Sequence, residues 1–228
     1  MCSNSHSHDH GSEPKELDPE LDESDESVDE GELASEAPLV NEPAPERIVE
    51  LYGICIEYVE RALGMTLDFT DETLPILEHY LEAARDDVNG RPELAQIIYG
   101  AMGAYFGELV RRRVNGFWVI PNPDFHNWRV CARSVFLSLN PIGVVREAIA
   151  QSDEQGGPSA EIRLAPEDRA LVAERLALAP PVPEGQYYLL STRLEAIDIV
   201  VETLRLAMQQ GGHSGVEFEA EDYEALNY

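Results

Sequence analysis

The stretch from Glu93 to Pro123, ELAQIIYGAMGAYFGELVRRRVNGFWVIPNP, constrains this chain more than any other. Placed on a helix at roughly 100° per residue, Leu94, Ile98, Ala101, Met102, Tyr105 and Leu109 share one broad arc, with Phe106 and Val110 at its edge. Gly100, Gly103, Ala104 and Gly107 gather on the opposite side. A helix that is apolar on nearly all sides is a buried helix. Each interior glycine costs about 1 kcal/mol relative to alanine, so three of them need an offsetting gain. Close approach of another backbone along a groove free of side chains supplies one. The pattern therefore predicts a tightly packed core helix, with a ligand groove as the alternative.

Glu108 is the only acid between Leu94 and Pro123, and it lies just before Arg111, Arg112 and Arg113, with Leu109 and Val110 between. Glutamate four residues ahead of arginine is the favourable helical order, which predicts a Glu108–Arg112 pair. The arginines also fall in the last turn, where cations suit the helix dipole, and Asn115-Gly116 is suited to end the helix. The alternative is that Glu108 is a perturbed carboxylate at a site, which makes it the sole catalytic candidate.

Charge is unevenly spread. The formal net charge is −28, and residues 1–45 alone hold fourteen Asp/Glu against Lys15. The tail 211–228 adds five acids and no Lys or Arg. So acidic a chain repels phosphate backbones and anionic lipid, which argues against direct nucleic-acid or membrane binding. A protein partner, a basic one in particular, fits better. No apolar run reaches the 18 or more residues of a membrane span, and the first residues lack the basic-then-apolar order of a secretory signal. Three cysteines do not make a disulfide framework. A cytoplasmic location follows as the expectation.

Read in order, residues 1–45 form an acidic arm, rich in Ser and Pro, that cannot bury enough apolar surface to fold alone. Within it His6, His8 and His10 alternate as S-H-S-H-D-H, a weak candidate for a metal site with no complementary ligand cluster downstream. Residues 46–151 read as a compact domain. Glu46–Leu63 is a helix closed by Gly64, a second opens at Thr70 or Asp71 and closes at Asn89-Gly90, and Pro92 starts the central one. FWVI (117–120) and Trp128–Leu139 then read as the two strands of a short ribbon across the turn PNPDFHN. Asn140 caps a helix with Pro141 at its first position. Residues 152–162 read as a linker, and 163–210 as a helical extension that packs on the core or on a partner, with Thr192 and Glu195 as a capping box. Residues 211–228 read as an acidic tail. The fold class is thus α+β and mostly helical: three helices, a two-stranded ribbon and further helices, with disordered acidic termini.

AYFGELVRRRVNGFW (104–118), followed about twenty residues on by LNPIGVVREAI (139–149), resembles a recurring type of small uncharacterised bacterial domain. In such domains a Gly-Glu pair on a helix precedes a Gly-x-Trp strand, and a proline-led helix follows. The resemblance covers about residues 48–150. It implies a compact α+β domain and brings no activity, cofactor or binding residue with it.

Nucleotide-binding, zinc-protease and nucleophile-elbow motifs do not occur, and no cofactor is called for. His126 and Cys131 are the other reactive types near Glu108, at a spacing with no recognised role as a base and nucleophile. Trp118, Phe125 and Trp128 cluster around the proline-rich turn beside Arg111, Arg112 and Arg129. Aromatic and arginine residues together on a rim have the composition of an interface hot spot. The sequence therefore predicts a non-enzymatic interaction or regulatory module that binds through Arg111, Arg112, Phe125, Trp128 and Arg129, with the acidic arm as modulator. Two alternatives stand beside it: a small hydrolase or transferase using Glu108 as acid or base, and an acidic charge mimic that occludes a basic partner.

Overall fold

Helix α3 (Pro92–Arg113) is the axis of the protein in a computed structural model that describes residues 43–153 and 156–225. From Gly100 to Arg111 every one of its residues is buried. Helix α1 (Glu46–Leu63) buries Ile48, Leu51, Cys55 and Val59 at the three-to-four spacing of an amphipathic helix, and Gly64 closes it at φ 68°. A single 3₁₀ turn at Asp71–Thr73 leads into α2 (Leu74–Gly90). Both helices pack against α3.

The glycine stripe of α3 is filled by three different neighbours. A Cβ on Gly103 would lie 2.9 Å from Cα of Ile142, in the first turn of α4 (Pro141–Ala150). On Gly107 it would meet the Trp118 ring at 2.3 Å, and on Gly100 the Phe125 ring at 2.7 Å. The missing side chains thus admit one helix backbone and two aromatic rings, and close approach is the gain that offsets their helix propensity. Asn140 caps α4 as its sequence position predicts: its Oδ1 accepts from the N–H groups of Ile142 (3.0 Å) and Gly143 (3.2 Å). Its Nδ2 donates 2.6 Å to the Phe125 carbonyl, which ties the cap to the aromatic turn.

The expected two-stranded ribbon is a four-stranded antiparallel sheet in the order β1-β2-β3-β4. These strands are β1 (Gly116–Val119), β2 (Arg129–Ala132), β3 (Leu137–Leu139) and β4 (Arg163–Leu164). The run Trp128–Leu139, read as one strand, bends at residues 133–136 and pairs with itself, Val130 opposite Leu139 and Cys131 opposite Ser138. Alternation alone does not reveal a tight reversal inside a run that stays apolar on both sides of it. Strand β4 is too short to carry a periodic signal, and it arises from the edge that β3 offers, with Ser138 opposite Arg163.

Residues 163–210 dock on the same core. Helix α5 (Arg169–Ala177) contributes Val172, and α6 (Leu190–Gln210) contributes Leu190, Leu194, Ile197, Val200, Val201 and Leu204 to the main apolar cluster. The expected capping box at Thr192 and Glu195 does not start α6. The helix begins earlier, at Leu190, and the Glu78 carboxylate of α2 accepts the Ser191 N–H at 2.7 Å. The linker is also seated, since a Cβ on Gly143 would meet the Ser159 carbonyl carbon at 2.5 Å.

The expectation of a disordered acidic tail is corrected for residues 211–225. Phe218 and helix α7 (Ala220–Ala225) lie over the outer face of the sheet, where Tyr223, Phe117 and Cys131 form a second apolar cluster. The Tyr223 hydroxyl donates to the Ala132 carbonyl at 2.7 Å and accepts the Leu137 N–H at 3.1 Å, so it fastens the reversal between β2 and β3. One anchoring aromatic outweighs the surrounding acids because they remain in water while the ring is removed from it. The acidic arm, apart from Pro43–Pro45, lies outside the described residues.

Two glycine substitutions separate packing from propensity. Gly103→Ala is expected to destabilise the fold by roughly 1–3 kcal/mol through overpacking against Ile142. Gly53→Ala, on α1 with nothing within 4 Å of the added Cβ, is expected to stabilise it by roughly 0.5–1 kcal/mol. Urea unfolding of both variants checks the two opposite signs.

Candidate functional site

Glu108 sits at the C-terminal end of α3, 1% exposed, inside a cluster of donors. Its Oε1 accepts from Arg111 Nη2 at 2.9 Å and from Arg112 Nε at 2.8 Å. Its Oε2 accepts from Arg111 Nε at 2.8 Å and from the Trp118 indole at 3.3 Å. Arg111 is thus bidentate, and four donors occupy the roughly four lone-pair sites of one carboxylate. Burial pulls the Glu108 carboxyl upward, but the Arg111, Arg112 and Trp118 donors outweigh it and hold the group below the ordinary glutamate value. A cavity of about 300 Å³ beside the cluster is lined by Arg111 and Trp118. The carboxylate is not among its lining residues. Glu108 is held as a counter-ion in the scaffold, with no free lone pair directed at a substrate proton.

The predicted Glu108–Arg112 pair forms, and Arg111 joins it from i+3. Arg112 also lies over the Phe69 ring at 3.9 Å. Phe69 has a left-handed backbone, φ 63°, and is held there by stacking on Tyr105 and by the Tyr105 hydroxyl, which accepts its N–H at 2.8 Å. Arg113 turns away to Asp198 on α6, at 2.8 Å.

The residues predicted on one rim divide among three places. Arg111 and Trp128 are buried at 6% and 1% exposure, and Arg112 is drawn into the Glu108 cluster. Phe125 packs edge to face on Trp128 with centroids 4.8 Å apart, above Gly100. Arg129 is elsewhere. Strand alternation turns Val130 into the core and Arg129 to the outer face, the face covered by Tyr223. His126 and Cys131 are also kept apart in environment. The exposed His126 ring is bonded to Asp124 at 2.7 Å, whereas Cys131 is buried and burial pushes its thiol up to about 12. That thiol is not a nucleophile at neutral pH.

On the outer face, Arg129 of β2, Ser138 of β3, Arg163 of β4 and Arg169 at the start of α5 line one concavity of about 140 Å³, with Glu161 and Tyr223 at its border. Among the described residues Arg129 forms no ion pair, and burial first, then the Arg163 charge, lowers its pKa. Arg163, Arg169 and Ser138 escape a reading of the sequence because only strand register and the docking of α5 gather them. The alternation Ile162-Arg163-Leu164 is the one local signal. A larger cavity of about 390 Å³ between α2, α4 and the start of α6 is lined by Glu78, His79 and Arg85. There Glu78 caps α6, and Arg85 donates 2.7 Å to the Ile149 carbonyl.

Among the described residues no group of three His, Cys, Asp or Glu is placed to hold a metal ion; His6, His8 and His10 lie outside them. No described helix is long and apolar enough to cross a membrane. The fold is a mostly helical α+β unit with a small antiparallel sheet between a helical core and a C-terminal strap. No protein-family model, no curated protein and no solved structure matches the chain.

Glu108→Gln is expected to cost about 3–5 kcal/mol, because Arg111 is left buried without its counter-charge. The folded pKa of Glu108 lies below its unfolded value of about 4.3. Its stabilising share is therefore complete above that pH and fades as pH falls through the folded value. Urea midpoints measured from pH 6 downward should fall more steeply on acidification for the wild type than for Glu108→Gln. Parallel curves would contradict the assignment.

Proposed function

We propose that this chain is a cytoplasmic, non-enzymatic protein-interaction module of regulatory type. It meets its partner through the arginine face of the sheet, and the acidic arm 1–45 tunes the encounter. The observation that carries this reading is Arg129, partly buried and without an ion pair among the described residues, in one concavity with Arg163 and Arg169. A partly desolvated cation that the fold leaves without an ion pair among the described residues, as it does Arg129, represents stability given up, and a partner's oxygen atoms recover it on binding. Phe125 and Arg112 support the turn and the end of α3 from which the sheet departs, and Arg129 is the contact residue.

The partner is a protein whose surface is basic overall. A net charge of −28 attracts such a surface at long range and repels nucleic acid and anionic lipid. The arginine concavity then selects at short range, where complementarity of charge sets specificity.

Affinity capture from lysate at two salt concentrations tests this with the full chain, residues 46–228, and an Arg129→Glu/Arg169→Glu variant. Both substitutions are on the outer surface and spare the Glu108 cluster. A partner retained by 46–228 and lost from the double variant is the expected result. A partner retained by the double variant overturns the arginine face. A partner lost on removal of the arm, and released by salt, replaces this reading with a charge mimic.

A further inference from the structure

We infer that the connection between α5 and α6, Ala179-Pro180-Pro181-Val182-Pro183, is a docking peptide for a protein that carries a polyproline-binding groove lined by aromatic rings. This is a second surface. It goes beyond the arginine face and does not rest on it.

The residues set their own conformation before any partner arrives. A pyrrolidine ring holds φ near −65° at Pro180, Pro181 and Pro183. The residue before each proline is steered to extended or polyproline II backbone, which covers Ala179, Pro180 and Val182. Pro183 has φ −58° and ψ 142°, within the polyproline II region. Both ends are fixed as well, because Val172 of α5 and Leu190 of α6 belong to the main apolar cluster. Little conformational entropy is left to lose on binding, which is the property that polyproline recognition exploits.

Ending α5 does not require this run. The N–H groups of Leu178 and Ala179 already close the helix on the carbonyls of Arg175 and Leu176, each at 3.1 Å, before the first proline. Among the described residues no hydrogen bond reaches the backbone of Pro180, Pro181 or Val182, and all residues from Pro180 to Pro183 are exposed. Leu178 is 77% exposed, Tyr187 48% and Val182 45%. Single exposed apolar residues are ordinary, whereas several gathered along one exposed proline run mark an interaction surface.

Chemistry then selects the mode of recognition. Between Ala179 and Glu184 only Val182 has an N–H, so the segment cannot extend a sheet ladder, and its prolines bar a helix. Three residues complete a turn of polyproline II. Ala179 and Val182 therefore fall on one edge, Pro180 and Pro183 on the next, and Pro181 on the third. Two apolar–proline pairs repeat along one face, the spacing of P-x-x-P ligands that dock in aromatic-lined grooves. The solvated carbonyls between them are acceptors for hydroxyl or indole N–H groups of such a groove. Glu184 follows at once and is exposed, so the rim of the groove is basic at that end.

The test is an amide-shift NMR titration of the full chain with three purified polyproline-binding domains, an SH3, a WW and an EVH1 domain, each taken to millimolar concentration. Saturable shifts at Leu178, Ala179, Val182 and Glu184 are expected with at least one of them, and none around Arg129. Pro180→Ala and Pro183→Ala should each weaken that binding roughly tenfold or more, and Pro181→Ala, on the edge turned away, less than about threefold. Glu184→Gln should weaken it at low salt, and affinity unchanged there would remove the basic rim. All four side chains are exposed, and urea midpoints matching the wild type will show that the variants keep the fold. Absence of saturable shifts with all three domains overturns the inference, and so does a Pro181→Ala loss as large as the other two. If the domains fail while partner capture still depends on Arg129 and Arg169, the docking peptide falls and the arginine face stands. If a domain binds as expected while capture is indifferent to both arginines, the docking peptide stands and the arginine face does not.

Discussion

Close contact between α3 and α4 governs this molecule. Cα of Ile142 comes so near to Gly103 that no side chain can stand between the helices. With that contact made, Pro141 and the Trp118 ring are drawn over Gly107, and the Phe125 ring over Gly100. Asn140 then has to cap α4 and hold the 125–126 turn at once, which it does with opposite ends of one amide. The strands that follow α3 and precede α4 are short, and their position is inherited from this helix pair. A buried helix with three glycines would be a poor helix alone, and it is stable here because the neighbours it admits bury far more apolar area than the glycines forgo.

At the end of α3 that closeness creates an electrostatic problem with a local solution. Three arginines suit the helix terminus, yet Arg111 is carried into the interior with it. A buried guanidinium is tolerable only with a counter-charge and saturated hydrogen bonds. Glu108, one turn earlier, provides both, and the Trp118 indole completes its fourth bond. The same saturation removes the carboxylate from acid–base chemistry. Arg112 and Arg113 carry the terminus outward, to the left-handed Phe69 and to Asp198 of α6, so one helix end organises the connector before α2 and the last long helix.

The sheet separates two environments. Its inner face is core, with Val130, Leu137 and Leu139 fully enclosed. Its outer face is part apolar, beneath Phe218 and Tyr223, and part cationic, around Arg129, Arg163 and Arg169. An acidic C-terminal segment docks beside these arginines through Tyr223, and Arg129 among them forms no ion pair within the described residues. The binding face proposed for this protein is the remainder of the outer sheet that the strap does not cover.

Most of the helical framework was legible in the residues themselves. The stripes of α1 and α3, Gly64 and Asn115 as stops, and Asn140-Pro141 as a start are local signals, each acting within one or two turns, and each is found in the structure. The Glu108–Arg112 pair was legible for the same reason. What the sequence left open is whatever depends on residues far apart in the chain. Strand β4 exists because β3 has a free edge, α6 begins where Glu78 of another helix accepts the Ser191 N–H of its first turn, and Tyr223 is buried because a sheet face awaits it. Arg129 looks from its neighbours like part of an aromatic rim. Only the two-residue alternation of a strand, and pairings such as Leu137 with Leu164 that join residues far apart in the chain, place it in one concavity with Arg163 and Arg169. Local propensity is set by short-range sterics and hydrogen bonding, and the chain determined it unaided; the composition of a shared face is set by register and docking, which the tertiary structure alone decides.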